Sequence, residues 1–193
     1  MYKYFILAGL IAISACHKTP VAAPPPVVPE MDYSNFNDTT VAFGKYFSYD
    51  LDHNGIKDFG FFTILVGDPI LQRDYRQYRL AVAFQTSLAV DSNEQTPVLA
   101  KNAVISAGLP TGHNWYNASD LVLAQKVIGT TEASFWEGSW KNVRHQYVAI
   151  QVTRNNLMYY GWLEISFDTV AEKLIVHRAA VCKEAGKEIK AGM

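Results

Sequence analysis

A chain of 193 residues with 17 basic and 18 acidic side chains has a formal charge of −1, and its scattered Lys and Arg argue against a nucleic-acid partner. With 49% hydrophobic residues, it holds enough apolar side chain to build a substantial core.

The chain opens MYKYFILAGLIAISAC. Lys3 supplies a positive n-region, and Phe5 to Ile13 form an apolar stretch too short to span a bilayer as a stable helix. Ile13-Ser14-Ala15-Cys16 resembles the lipobox of bacterial lipoproteins, in which small residues precede a Cys that is lipidated and becomes the new N-terminus. The resemblance implies a signal peptide over residues 1–15, lipidation at Cys16 and attachment to a membrane of the bacterial cell envelope. Each acyl methylene buried in the bilayer adds about 0.8 kcal/mol to such an anchor. An ordinary secretory signal that happens to contain a Cys is the alternative. His17 stands where enteric lipoproteins retained at the inner membrane carry Asp, which points to the outer membrane.

Residues 17–30, HKTPVAAPPPVVPE, hold five of the eight prolines. At that density they favour an extended tether over a core, spanning about 3.1 Å per residue. Residues 31–193 are then expected to form a single domain. With Cys16 lipidated, Cys182 has no partner, which suits a buried, inert thiol.

From residue 40 onward, short β-type runs dominate. They fall at Thr40–Tyr49, Phe59–Val66, Tyr78–Gln85, Tyr147–Val152, Tyr159–Phe167 and Lys173–Arg178. Alternation such as Leu80/Val82/Phe84 and Val148/Ile150/Val152 predicts one face in a core and the other nearer water. Turn-forming clusters separate the runs, as at Gly67-Asp68-Pro69, Asp91-Ser92-Asn93 and Arg154-Asn155-Asn156. The pattern predicts an all-β fold, an antiparallel β-sandwich of jelly-roll-like build. Ser119–Lys126 fits either a further strand or one short helix.

Between the first two runs lies Asp50-Leu-Asp-His-Asn-Gly-Ile-Lys-Asp58. Counted from Asp50, Asp52 and Asn54 fall at positions 3 and 5, Gly55 at 6, Ile56 at 7 and Asp58 at 9. Calcium takes about six to eight hard oxygens, and alternate residues of a tight loop can turn theirs inward. The expected metal ligands are the side chains of Asp50, Asp52, Asn54 and Asp58 and the main-chain carbonyl of Ile56. Repulsion among the three carboxylates is then offset by the cation. His53 lies between ligand positions and should point outward. Position 12 is Phe61 where an EF-hand has a bidentate Glu, so the expected affinity is weak, with a Kd of about 10⁻⁴ to 10⁻³ M. A solvated, Asx-rich hairpin turn without metal is the alternative.

Asp50 to Phe59, Trp136-Glu137-Gly138 to Val152, Tyr160-Gly161-Trp162-Leu163-Glu164-Ile165-Ser166 and Glu188–Gly192 stand in one order along the chain. Together they resemble a group of secreted bacterial β-sandwich proteins and lipoproteins, some carrying PEP-CTERM sorting tails. These have a D-x-D-x-D-G-x-x-D-F hairpin near the start and a "YGW" strand near the end. The resemblance supports fold and location far more than a biochemical activity. Physically, Gly161 would admit a close neighbour, while Tyr160 and Trp162 would share one sheet face in core packing.

No G-x-S-x-G, HExxH or Gly-rich phosphate loop marks an enzyme, and the five His are dispersed in sequence. Glu132, Glu137 and Glu164 are the carboxylates a glycan-processing enzyme would draw on, and as solvated or ion-paired residues they need no such role. A binding module is the better expectation. His113, Asn114, Trp115, Tyr116, Trp136 and Trp140 combine rings that could stack on a sugar with hydrogen-bonding groups. The same aromatics could instead fill the core. An adhesion or assembly protein that contacts another envelope protein is the further alternative.

Overall fold

A computed structural model describes residues 28–117 and 120–193, and every regular element among them is a β-strand. The signal peptide, Cys16 and most of the tether lie outside the described residues. In chain order the strands are β1 (Met31–Ala42), β2 (Tyr46–Tyr49), β3 (Phe59–Asp68), β4 (Arg73–Val82), β5 (Thr86–Val90), β6 (Val104–Ile105) and β7 (Asn114–Tyr116). They continue as β8 (Asp120–Gly129), β9 (Phe135–Glu137), β10 (Gln146–Arg154), β11 (Leu157–Asp168), β12 (Lys173–Cys182) and β13 (Ile189–Lys190).

The strands form a sandwich of antiparallel sheets. One sheet has the order β1-β12-β11-β10-β5-β7, and the facing sheet has the order β2-β3-β4-β8-β9. Phe59, Phe61, Tyr78, Leu80, Leu121 and Leu123 of the second sheet interlock with Val148, Ile150, Leu163, Ile165, Phe167 and Val176 of the first. Burying such side chains stabilises by roughly 1.5–3 kcal/mol each, the dominant favourable contribution to the fold.

The six-stranded sheet is covered on both faces over much of its area. Tyr147, Ala149, Tyr160, Trp162, Ala180 and Cys182 point away from the main core into a second cluster, closed by Ile105 and Ile189 of the β6–β13 pair. This departs from the alternation expected for residues 147–152. Val148, Ile150 and Val152 do face the sandwich core, but the intervening Tyr147, Ala149 and Gln151 are buried as well. The small β6–β13 ribbon supplies the lid, and nothing in the sequence of β10 announces it. Tyr160 and Trp162 lie on one face as their spacing of two requires, and Cys182 is buried and free.

Two segments differ from the sequence reading. Thr40–Tyr49 is not one strand: β1 ends at Ala42, the chain turns at Gly44, and β2 joins the other sheet. β1 also begins nine residues earlier, through an Asp- and Asn-rich stretch whose buried Met31, Phe36 and Val41 hold it against the core. The segment fitting either helix or strand is β8 from Asp120 onward, hydrogen-bonded between β4 and β9. A bulge opposite Tyr78/Arg79 puts both Leu123 and Ala124 inside, which breaks the period of two and blurs its strand signature.

Candidate metal centre

Tyr49 pairs with Phe59, so residues 50–58 form the tip of the β2–β3 hairpin, as the sequence suggested. The Asp58 N–H donates to Tyr49 O (2.9 Å) and closes the loop, while Leu51 tucks into the core beneath it. Gly55 has φ 91°, a conformation that an L side chain rarely adopts and that turns the chain back on itself. His53 is exposed, outside the cluster.

Asp50, Asp52 and Asp58 each place a carboxylate oxygen within 4.8 Å of the others, a cluster that could hold a metal ion. Asp50 accepts from the N–H groups of Gly55 (2.7 Å) and Asn54 (3.2 Å). Asp58, only 2% exposed, accepts from Leu51 N–H (2.6 Å) and from the Thr86 hydroxyl (3.2 Å). Burial pushes the Asp58 carboxyl above its ordinary range against the Leu51 hydrogen bond, and the neighbouring Asp52 charge pushes it further. Burial also acts upward on Asp50, but the Gly55 and Asn54 N–H groups outweigh it and hold that carboxyl low. A buried, charge-crowded carboxylate beside an ionised one is a donor set suited to a hard cation. The Asn54 carboxamide oxygen accepts from Ile56 N–H (2.7 Å), and the Ile56 side chain is exposed.

Arg154, at the end of β10, was not among the expected residues. Its Nε donates to Asp52 Oδ2 at 3.1 Å, and its guanidinium lies over the Tyr159 ring. The two partners are 102 residues apart, so only the tertiary fold brings this cation to the cluster.

The aromatic middle does not converge on one site. Trp140 is buried in the sandwich core, and its Nε1 donates to Thr96 O (3.2 Å). Trp136 packs against Tyr78 and Phe167. Trp115 stacks on Tyr160 at 5.6 Å between centroids and donates to Ser106 O. The expectation of a shared ring platform is therefore corrected: these three indoles serve packing, because the sandwich needs large side chains where its sheets and flanking ribbon meet. Tyr116, 51% exposed, and Asn114 remain at the surface of the edge strand β7, in a depression of about 190 Å³ shared with Asp91 and Glu94. His113 lies just before this strand.

Glu132 pairs with Arg73 and Glu137 accepts from Gln125 at the surface, as expected of ion-paired or solvated residues. Glu164 is instead buried, held by Arg178 and His145. Burial acts to raise its carboxyl, but the Arg178 and His145 hydrogen bonds prevail and hold it below the ordinary value of 4.5. A carboxyl depressed by folding adds stability above its unfolded value, and that stability is lost as pH falls through the folded one. The unfolding midpoint should therefore drop below about pH 4.5, and Glu164→Gln should flatten that dependence in melts taken between about pH 3 and pH 6.

The chain matches no protein-family model, no curated protein and no solved structure, so the case for its function rests on these residues and their geometry.

Proposed function

We propose that the chain is an envelope lipoprotein, held to the membrane through a lipidated Cys16, whose β-sandwich is a calcium-stabilised binding module with a glycan as ligand. The observation that carries the reading is the convergence of Asp50, Asp52 and Asp58 at a hairpin tip, with Asp58 buried among like charge. A hard divalent cation relieves that repulsion and ties β2–β3 to Thr86 at the start of β5 through Asp58. Tyr116 offers an exposed ring and Asn114, Asp91 and Glu94 offer hydrogen-bonding groups, the combination that takes up a sugar.

The test is a thermal melt of the full chain in millimolar calcium and in chelator, beside Asp52→Ala. Calcium at ten times its Kd adds about 1.4 kcal/mol, a rise of about 3–5 °C for a domain of this size. The Asp52→Ala baseline falls because Arg154 loses its partner, so the quantity to compare is the calcium-dependent difference, expected to vanish. Equal melts in calcium and chelator for the parent chain would sink the metal reading. A glycan array probed in calcium completes the test, with binding expected to be lost in Tyr116→Ala. A blank array would turn the reading toward adhesion or assembly, for which the exposed Leu65, Val66, Ile70 and Leu71 at the β3–β4 tip are the favouring observation.

A further inference from the structure

On the outer face of the six-stranded sheet, beyond the end covered by the β6–β13 ribbon, the period of two brings Glu164 and Ser166 of β11 out beside each other. Two irregularities meet there. The β11–β12 register skips His177, and the β1–β12 register slips between Asn35 and Thr39, which sets Asp38 opposite the same place. Bulges that coincide in this way re-aim side chains that a regular ladder would hold apart.

The outcome is a continuous relay. Ser166 Oγ lies 2.7 Å from His177 Nε2, and His177 Nδ1 lies 2.6 Å from Asp38 Oδ1. A carboxylate oxygen accepts, so in the neutral imidazole Nδ1 carries the proton toward Asp38 and Nε2 is left to accept from the Ser166 hydroxyl. The His145 N–H donates to the same Oγ at 2.9 Å, which leaves the hydroxyl proton free for His177 alone. The His145 ring stacks on His177 at 4.1 Å, and its own Nδ1 is tied to Glu164 at 2.8 Å. Two histidines 32 residues apart in sequence are thus neighbours in the fold. Ser166, His177 and His145 line a cavity of about 530 Å³ whose other walls include Asn142, Val143 and Val170.

We infer that Ser166, His177 and Asp38 form a nucleophilic catalytic centre, distinct from the metal cluster, that hydrolyses carboxylic esters with a modest apolar acyl group. The Ser166 oxygen attacks the ester carbonyl carbon as its proton passes to His177 Nε2. The tetrahedral adduct collapses, its C–O bond breaks, and the departing alkoxide takes that proton from His177 to leave as an alcohol. A water molecule then attacks the acyl-serine, gives its proton to Nε2, and releases the carboxylic acid as Ser166 recovers its hydrogen. Ester and water become acid and alcohol, and no other reactant is needed. Asp38 is a positioning residue that fixes the imidazole tautomer and offsets the imidazolium charge. Glu164, held by Arg178, lies beyond His145 as a second negative group facing the ring pair. The Asn142 carboxamide, whose oxygen accepts from Thr169, retains its NH₂ group as a donor in the cavity wall for the developing oxyanion.

The experiment treats the full chain with a fluorophosphonate, which forms a P–O bond to an activated serine as fluoride leaves, and maps the adduct by mass spectrometry. Modification is expected at Ser166, together with hydrolysis of p-nitrophenyl butyrate that Ser166→Ala abolishes. His177→Gln should slow the labelling by about 100-fold or more, since general-base assistance contributes roughly 10²–10⁴. Asp38 has φ 56°, which Asn tolerates well, so Asp38→Asn removes the charge without straining the backbone. It should slow the labelling and shift its pH profile, and Asp38→Glu should restore both in part. A folded parent chain left unmodified at Ser166 overturns the inference, and so does labelling at the parent rate in a folded His177→Gln. Because the parent chain alone gives the first of these answers, a variant that fails to fold does not blunt the test.

Discussion

Trp140→Ala is expected to lower the unfolding free energy by about 4 kcal/mol, within the roughly 3–5 kcal/mol that truncating a buried Trp costs. The ring is among the largest fully buried side chains, packed in the sandwich core, and Thr96 O would lose its donor. Neighbouring β-strands cannot collapse into the space, because their spacing is fixed by the ladders of both sheets. Urea unfolding would show the midpoint moving with little change in slope, and the melting temperature should fall by about 8–16 °C. Trp140→Phe should recover much of the loss, since it refills most of the volume and gives up only the Thr96 hydrogen bond. A midpoint unmoved in Trp140→Ala would return this residue to the list of exposed ligand-binding rings.

Gly161→Ala should cost about 3 kcal/mol, the upper part of the range for forcing atoms into a packed interior. A Cβ at this position would lie 2.5 Å from Ala180 O, 3.2 Å from Val181 Cα and 3.1 Å from Ile150 Cγ1. Two of these contacts are backbone atoms of β12, and β11 is hydrogen-bonded to β10 and β12 on its two sides, so neither neighbour can move without breaking register. Gly108→Ala is the control: its Cβ would meet only Ser106 Oγ at 3.9 Å, and its midpoint should stay within about 0.5 kcal/mol of the parent. A Gly161→Ala midpoint as close to the parent as that of Gly108→Ala would show that the neighbouring strands accept the added methyl and that crowding does not set the effect.

Most of the sheet framework was legible because aromatic and β-branched runs, separated by Gly, Pro, Asn and Asp, carry the period and punctuation of strands in the local sequence. The acidic hairpin was legible for the same reason: Asp50, Asp52 and Asp58 meet within nine consecutive residues, and Gly55 allows the turn that gathers them. The "YGW" stretch likewise announced its own constraint, since the want of a side chain at residue 161 is local and the close approach of β12 is what it serves.

What the tertiary structure alone decided depends on pairs of strands remote in sequence. Burial on the second face of β10 comes from a ribbon made by residues 104–105 and 189–190, and no pattern within β10 can foretell it. The indoles of 115, 136 and 140 read as a ligand platform because they are close in sequence, yet a sandwich sends successive segments to different layers, and each ring found its own packing site. Conversely, Asp38, His145, Ser166 and His177 are scattered along the chain and carry no motif. They meet because the bulges of β1 and β12 coincide on one face of β11. Composition and local periodicity are properties of a segment, and the sequence therefore determined the strands, their turns and the acidic loop. Which strand lies beside which is set by long-range burial and backbone pairing, and that choice alone decided what is core, what is surface and which polar side chains touch.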